Sequence, residues 1–120
     1  MHRIAFIFIG CALLAACASP ERQRPLQFGV GYLVAEDYAS AKAHFEKLHE
    51  THPRDPYIAL NLGVALEKLG ETDRAAEMYR IAIEEGEHTP VHLTVTDGNQ
   101  ARQTTSVAML ARRNLERLDG

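Results

Sequence analysis

The sequence has no tryptophan, few other aromatic residues and only two cysteines among its 120 residues. Cys11 lies within an apolar run near the start, and Cys17 follows that run. If the run is removed as a signal, the mature chain keeps one cysteine and cannot close an internal disulfide, so its core alone must hold the fold. The net charge of −3 is the wrong sign for a nucleic-acid binder, and no nucleic acid is expected as a partner.

The apolar run has the layout of a secretory signal. Met1 to Arg3 supply a short positive end, Ile4 to Leu14 are almost wholly apolar, and Ala15-Ala16 supply small side chains. The run of about 13 residues is shorter than the roughly 20 that a bilayer core requires. Residues 1–16 are therefore predicted to be a cleaved signal peptide and not a spanning helix.

The end of this run, Leu14-Ala15-Ala16-Cys17, resembles a bacterial lipobox. The resemblance implies cleavage before Cys17, acylation of Cys17 with palmitate-like chains, and anchoring in a membrane. Ala18 and Ser19 stand where lipoproteins held in the inner membrane often carry aspartate, which favours the periplasmic face of the outer membrane. The alternatives are the inner membrane, or ordinary signal cleavage after Ala18, which would release a soluble periplasmic protein.

Residues 17–25 are predicted to be a tether, because Ala18 to Pro25 are polar, include two prolines and show no apolar periodicity. Fully extended, those eight residues would reach roughly 25 Å. About 100 residues remain after the signal, which is enough for one core.

Residues about 34 apart match along the middle of the chain. Gly29 aligns with Gly63 and Ala41 with Ala75. Both the interval and the residue types resemble the tetratricopeptide repeat. The residues that carry this signature are Phe28, Gly29, Tyr32, Ala41, Phe45 and Pro53 in the first copy, and Leu62, Gly63, Leu66, Ala75, Tyr79 and Ala82 in the second.

The pattern predicts an all-α fragment of an α-solenoid, with two helix-turn-helix repeats over residues 26–89. Apolar residues three and four apart predict helices at 26–35, 38–51, 56–69 and 72–86. The small residues are expected where helices come close, with the large signature side chains filling the space beside them.

Several residues predict where these helices begin and end. Asp55 with Pro56, and Thr72, are expected to begin helices, and Gly70 is expected to end one. Glu36 replaces that glycine in the first repeat, so its turn is expected to be tighter, strained or differently shaped.

The C-terminal part is predicted to cap the two repeats, because such arrays need a further packing unit. Residues 90–99 alternate in polarity and are predicted to be an extended crossing segment. Residues 100–120 are predicted to be a capping helix whose apolar stripe faces the second repeat. That stripe is Val107, Leu110, Ala111, Asn114, Leu115 and Leu118. Asn114 either bonds to the preceding loop or turns toward solvent.

The sequence predicts no enzyme, because it contains no nucleophile elbow and no glycine-rich phosphate loop. Neither a metal nor another cofactor is expected. The histidines are a weak ligand set without cysteine or ordered carboxylate partners. Those that follow the predicted signal peptide are His44, His49, His52, His88 and His92. A small-ligand or metal carrier that uses them remains an alternative function, as does a structural subunit of a homo-oligomer.

Binding of a protein or peptide is the leading hypothesis, because stacked helix pairs leave a concave face lined by their first helices. The residues predicted to line this face are Gln27, Val30, Leu33 and Val34, with Tyr57, Leu60, Asn61, Val64, Glu67 and Lys68. In another reading, Val30, Leu33 and Leu60 are covered by the tether or by the crossing segment. The predicted protein is a lipid-anchored adaptor or scaffold in the cell envelope, in pilus, secretion or envelope assembly. Arg102, Arg113 and Arg117 on the last helix offer either an anion-binding face or a solvated one.

Overall fold

The computed structural model describes residues 20–94 and 102–120. The predicted signal peptide, Cys17 and the rest of 1–19 lie outside the described residues, as do 95–101. The described elements are α1 (Pro20–Val34), α2 (Tyr38–Thr51), α3 (Pro56–Lys68), α4 (Thr72–Glu85), β1 (Pro90–Thr94), β2 (Arg102–Ser106) and α5 (Val107–Asp119).

Each helix packs on the next one along the chain, so that α1 and α2, then α3 and α4, form two stacked hairpins. The core lies between them, and Tyr79 and Phe45 are its largest fully buried side chains. Small residues at Ala41 and Ala75 are also fully buried. The predicted all-α solenoid fragment is confirmed, with a short hairpin of strands inserted before α5.

Two glycines allow close helix packing within the hairpins. A Cβ atom on Gly29 would lie 2.4 Å from the ring of Phe45, and one on Gly63 would lie 2.6 Å from the ring of Tyr79. Each glycine therefore provides the space that the aromatic side chain of the paired helix occupies.

The turns inside the two hairpins have the same shape despite their different sequences. Gly70 has φ 79° and Glu36 has φ 59°, so both are left-handed. Equivalent backbone hydrogen bonds close the two turns, from Asp37 N to Tyr32 O and from Glu71 N to Leu66 O, each 2.9 Å long. The turn at Glu36 is thus neither tighter than the glycine turn nor differently shaped. Of the three expected forms it is the strained one, because a side chain at positive φ is disfavoured.

Asp55 caps α3 as predicted. Its Oδ1 accepts hydrogen bonds from the backbone N–H groups of Tyr57 (2.9 Å) and Ile58 (3.3 Å), and Pro56 follows at the first position. The prediction for Thr72 was wrong. Helix α4 begins after Glu71 without a side-chain cap, and the Thr72 hydroxyl instead donates to the Gly70 carbonyl.

The predicted tether is partly helical. Helix α1 begins at Pro20, six residues before the expected start at 26. Proline suits a first helical turn, and the Glu, Arg and Gln residues that follow are good helix formers, so polarity alone was a poor reason to expect extended chain. Pro25 lies inside α1, where its carbonyl oxygen lies 2.6 Å from His44 Nε2 on α2.

The first part of the predicted capping helix, residues 102–106, is a strand. Residues 102–106 pair antiparallel with β1, in the register Pro90 with Ser106 and Val91 with Thr105. Adjacent threonines favour a strand here, and Ser106 then begins α5 by accepting from Met109 N at 3.2 Å. The segment 90–94 is extended as predicted, but it pairs with β2 and is not a lone crossing strand.

Helix α5 packs on α4 and α3. Val107 and Ala111 are fully buried, and the leucines of the stripe pack partly buried against the core. The Asn114 Oδ1 accepts a hydrogen bond from Arg117 Nη1 on the same helix, at 3.2 Å, and this bond is exposed. Within residues 20–94 and 102–120, no helix is long and apolar enough to cross a membrane.

Two signature residues of α1 lie outside the core, against expectation. Phe28 is 68 % exposed and Tyr32 is 40 % exposed. Their counterparts Leu62 and Leu66 are buried, because α2 precedes α3 and covers them. Among the described residues no helix precedes α1, so the same side of α1 faces outward.

Candidate partner-binding groove

A concave groove lies between the first helices of the two repeats. Gln27 and Val30 of α1 face Tyr57 and Asn61 of α3 across it, and Leu26 completes the lining. Its volume is about 310 Å³. These four facing residues were predicted for the concave face. They meet because α1 and α3 occupy equivalent positions in successive hairpins.

Hydrogen bonds within α3 and to the strand hairpin order the polar groups of the groove. Asn61 Nδ2 donates to the Tyr57 carbonyl at 2.8 Å, which leaves Asn61 Oδ1 as the atom that a ligand N–H could reach. The Tyr57 hydroxyl donates to the Pro90 carbonyl at 2.5 Å. Pro90 therefore positions a groove side chain, a role that no motif in the sequence indicated.

The groove combines an apolar wall with amide groups. Val30 is 40 % exposed, so an apolar ligand group could cover it. Gln27 and Asn61 each carry an amide, which can both donate to and accept from a peptide backbone. This combination suits a short peptide segment better than a charged small molecule.

The other residues predicted for this face lie elsewhere. Leu60 is only 8 % exposed and belongs to the core, and Leu33 and Val64 pack against that core. Val34 is 80 % exposed but does not line the groove. Lys68 is also exposed and outside the lining. Leu60 and Leu33 are thus covered by packing in and against the helical core, whereas Val30 stays accessible.

Glu67, also predicted for the concave face, fastens α5 to the second repeat. The Tyr79 hydroxyl donates to Glu67 Oε2 at 2.5 Å, and Arg117 Nη2 donates to Glu67 Oε1 at 2.8 Å. Burial raises the pKa of the Tyr79 hydroxyl above its ordinary value, and the bond to Glu67 raises it further, so the hydroxyl stays a donor. The same carboxylate raises the pKa of Arg117. Glu67 therefore joins three helices.

The predicted arginine face of the last helix does not form. Arg102 lies on β2, away from α5, and Arg117 is engaged by Glu67. Arg112 pairs with Glu87 at 2.7 Å, which leaves Arg113 exposed on the helix. The prediction failed because it assumed a helix over 102–106.

The five histidines of the described residues are spread over several parts of the fold, and His44 and His49 on α2 are half-buried. His44 stacks edge-on against Tyr32, with ring centroids 6.0 Å apart. His52 Nδ1 lies 2.8 Å from the Thr51 hydroxyl and His92 Nδ1 lies 3.3 Å from the Thr104 hydroxyl. In the described part of the chain, no three His, Cys, Asp or Glu residues are grouped closely enough to hold a metal ion.

Stacked antiparallel helix pairs with an open groove between their first helices define a helical-repeat interaction protein. The chain belongs to the tetratricopeptide repeat family, whose model matches residues 26–90. That range includes the groove residues and Pro90. A search of curated proteins found no matching protein. Members of this family generally bind protein partners and are typically not enzymes.

Proposed function

We propose that this protein is an adaptor that holds a short peptide segment of a partner protein in the groove between α1 and α3, without catalysing a reaction. The observation that carries the proposal is the convergence of Gln27, Val30, Tyr57 and Asn61 on one open concavity. The Asn61 amide, held by its bond to Tyr57, and the exposed Gln27 amide offer backbone hydrogen bonds, and the accessible valine offers one apolar contact. Together these would give a peptide both affinity and register.

A photoreactive amino acid introduced at Val30 tests the groove in cells. Met109 on α5 is the matched control position, because it is also apolar and partly exposed, at 48 % against 40 % for Val30. We expect a discrete protein adduct from position 30 and none of that size from position 109. Adducts of the same pattern from both positions would contradict a binding site in the groove. An adduct between two copies of this chain would favour the homo-oligomer function.

We place the adaptor at the periplasmic face of the outer membrane, anchored through acylated Cys17. The support is the lipobox-like stretch Leu14 to Cys17 and the apolar run before it. In pilus, secretion or envelope assembly, such an anchor would keep the groove close to the bilayer and to partners assembled there.

The two cysteines provide a matched pair for testing the anchor. Cys17→Ser should abolish incorporation of a labelled fatty acid and release the protein from membranes, whereas Cys11→Ser should change neither. Membrane fractionation and fatty-acid labelling of both variants measure this. A Cys17→Ser protein that still sediments with membranes would refute lipid anchoring.

A further inference from the structure

The outward side of α1 carries a continuous stripe at helical spacing. Its members are Arg24, Phe28, Gly31 and Tyr32, with Ala35 directly after the end of the helix, and all of them are exposed. The spacing of four, three, one and three residues places them on one face of the helix. Phe28 is 68 % exposed, and the space beside Gly31 is open. We call this set the outer stripe.

The internal repeat shows what such a stripe does when a neighbour is present. The positions 34 residues later are Ile58, Leu62, Ala65 and Leu66 on α3, and Leu69 directly after it. The first four of these are 0–2 % exposed. The outer stripe therefore occupies a packing face of the solenoid, on which Phe28 is largely exposed to water and Tyr32 is partly exposed beside His44.

Arg24 decides between the kinds of neighbour that could cover this face. It stands at the position of Ile58, which is 2 % exposed on α3. A helix packed there as α2 packs on α3 would bury the guanidinium group, and removing an unpaired charge from water is unfavourable. A bilayer surface instead offers lipid phosphates to the arginine and an interfacial layer to the aromatic rings.

The start of α1 limits how far the stripe could be from the membrane. Since α1 begins at Pro20, only Ala18 and Ser19 separate it from Cys17. Three Cα steps span at most about 11 Å. Phe28 lies eight residues further along, or about 12 Å along the helix axis.

We propose that the outer stripe of α1 docks on the surface of the bilayer that holds acylated Cys17, with Phe28 and Tyr32 in the interfacial layer and Arg24 on lipid phosphate. This inference rests on the proposed anchoring. Docking fixes the orientation of the domain, because α1 lies along the membrane and α3 to α5 extend away from it. The groove residues of α1 are then held at the membrane side of the protein.

The absence of tryptophan makes a direct test possible, since one introduced tryptophan is the sole reporter of its kind. The full-length protein is produced in a bacterial host and reconstituted, as the acylated form, into vesicles of phosphatidylethanolamine and phosphatidylglycerol. Phe28→Trp is compared with Met109→Trp, a partly exposed position on α5. We expect blue-shifted emission and quenching by brominated lipid for Phe28→Trp, and neither for Met109→Trp.

A charge reversal tests the role of the arginine. Arg24→Glu in the Phe28→Trp protein should lower the ratio of docked to undocked molecules by about fivefold or more, as loss of one favourable surface charge predicts. Arg113→Glu, at the exposed arginine of α5, should leave that ratio unchanged.

The outcomes separate the two proposals. Mass analysis first shows whether Cys17 is acylated, and an unacylated or uncleaved chain refutes the anchoring itself. With Cys17 acylated, exposed emission from Phe28→Trp overturns the docking alone. Blue-shifted emission that brominated lipid does not quench also overturns it, because a protein surface would then cover the stripe.

Discussion

Replacing Gly63 with alanine tests the packing between α3 and α4. The new Cβ would lie 2.6 Å and 2.7 Å from two ring carbons of Tyr79, well inside the roughly 3.5–4.0 Å of an ordinary carbon contact. The ring cannot move aside easily, because Tyr79 is fully buried and its hydroxyl is bonded to Glu67. Gly63→Ala must therefore shift one helix against the other.

The size of the effect follows from two opposing terms. Overpacking of this kind costs about 1–3 kcal/mol, whereas alanine is favoured over glycine in a helix by about 1 kcal/mol. Gly31→Ala isolates the second term, because nothing lies within 4 Å of the new Cβ. The difference in unfolding free energy between the two variants should thus equal the overpacking cost, about 1–3 kcal/mol.

Urea unfolding followed by helical circular dichroism measures this difference. We expect Gly31→Ala to be more stable than the parent and Gly63→Ala to be less stable. Gly29→Ala, whose Cβ would meet Phe45, should fall between them, because α1 lies at the end of the stack and can move more freely. Equal stability of Gly63→Ala and Gly31→Ala would refute the close approach of α3 and α4 at this point.

Three further predictions concern the turn, the cap and the strand hairpin. Glu36→Gly should stabilise the fold by up to about 1 kcal/mol in the same urea assay, because it removes a side chain at positive φ; a loss of stability would contradict strain in that turn. Arg117→Met should lower the free energy of unfolding by about 1 kcal/mol, because it removes the hydrogen bonds to Glu67, while Arg113→Met should lower it hardly at all. Equal effects of the two substitutions would show that the bonds between Arg117 and Glu67 do not stabilise the packing of α5. Truncation after Gly98 removes β2 and α5 and should abolish the cooperative melt, and a retained cooperative melt would show that α5 is dispensable.

The sequence was sufficient to predict the two helix hairpins, because their spacing appears twice in the chain. Gly29 and Gly63, with Phe45 and Tyr79, are matched pairs whose sizes compensate each other. One copy alone would have given only a periodic apolar pattern. Asp55 and its following proline likewise fix a helix start through local chemistry that needs no tertiary contact.

The ends of the domain were harder to predict, since local sequence there allows more than one structure. Polar residues at 20–25 suit a tether as well as a first helical turn. Thr104 and Thr105 favour a strand at 102–106, but the pairing with β1 cannot be seen in that segment alone. Because residues 102–106 were expected to be helical, Arg102 was wrongly placed on the last helix.

Part of the groove was predictable from its position on the first helices, but the predicted surface was too large. Leu60 and Glu67 were expected to face the groove from α3. In the fold, Leu60 is buried in the core and Glu67 accepts hydrogen bonds from Arg117. The hydrogen bond from Tyr57 to Pro90 could not be foreseen, because it depends on where the strand hairpin crosses.

Binding of the partner segment by groove variants tests the central claim most directly. Once the segment that crosslinks at Val30 is identified as a peptide, its Kd is measured by calorimetry for Val30→Glu, for Met109→Glu and for the parent protein. Val30→Glu should weaken binding about tenfold or more, because it places a charge against the apolar part of the peptide. Met109→Glu should leave the Kd unchanged. An unchanged Kd for Val30→Glu, or an equal loss in both variants, would contradict binding in the groove between α1 and α3.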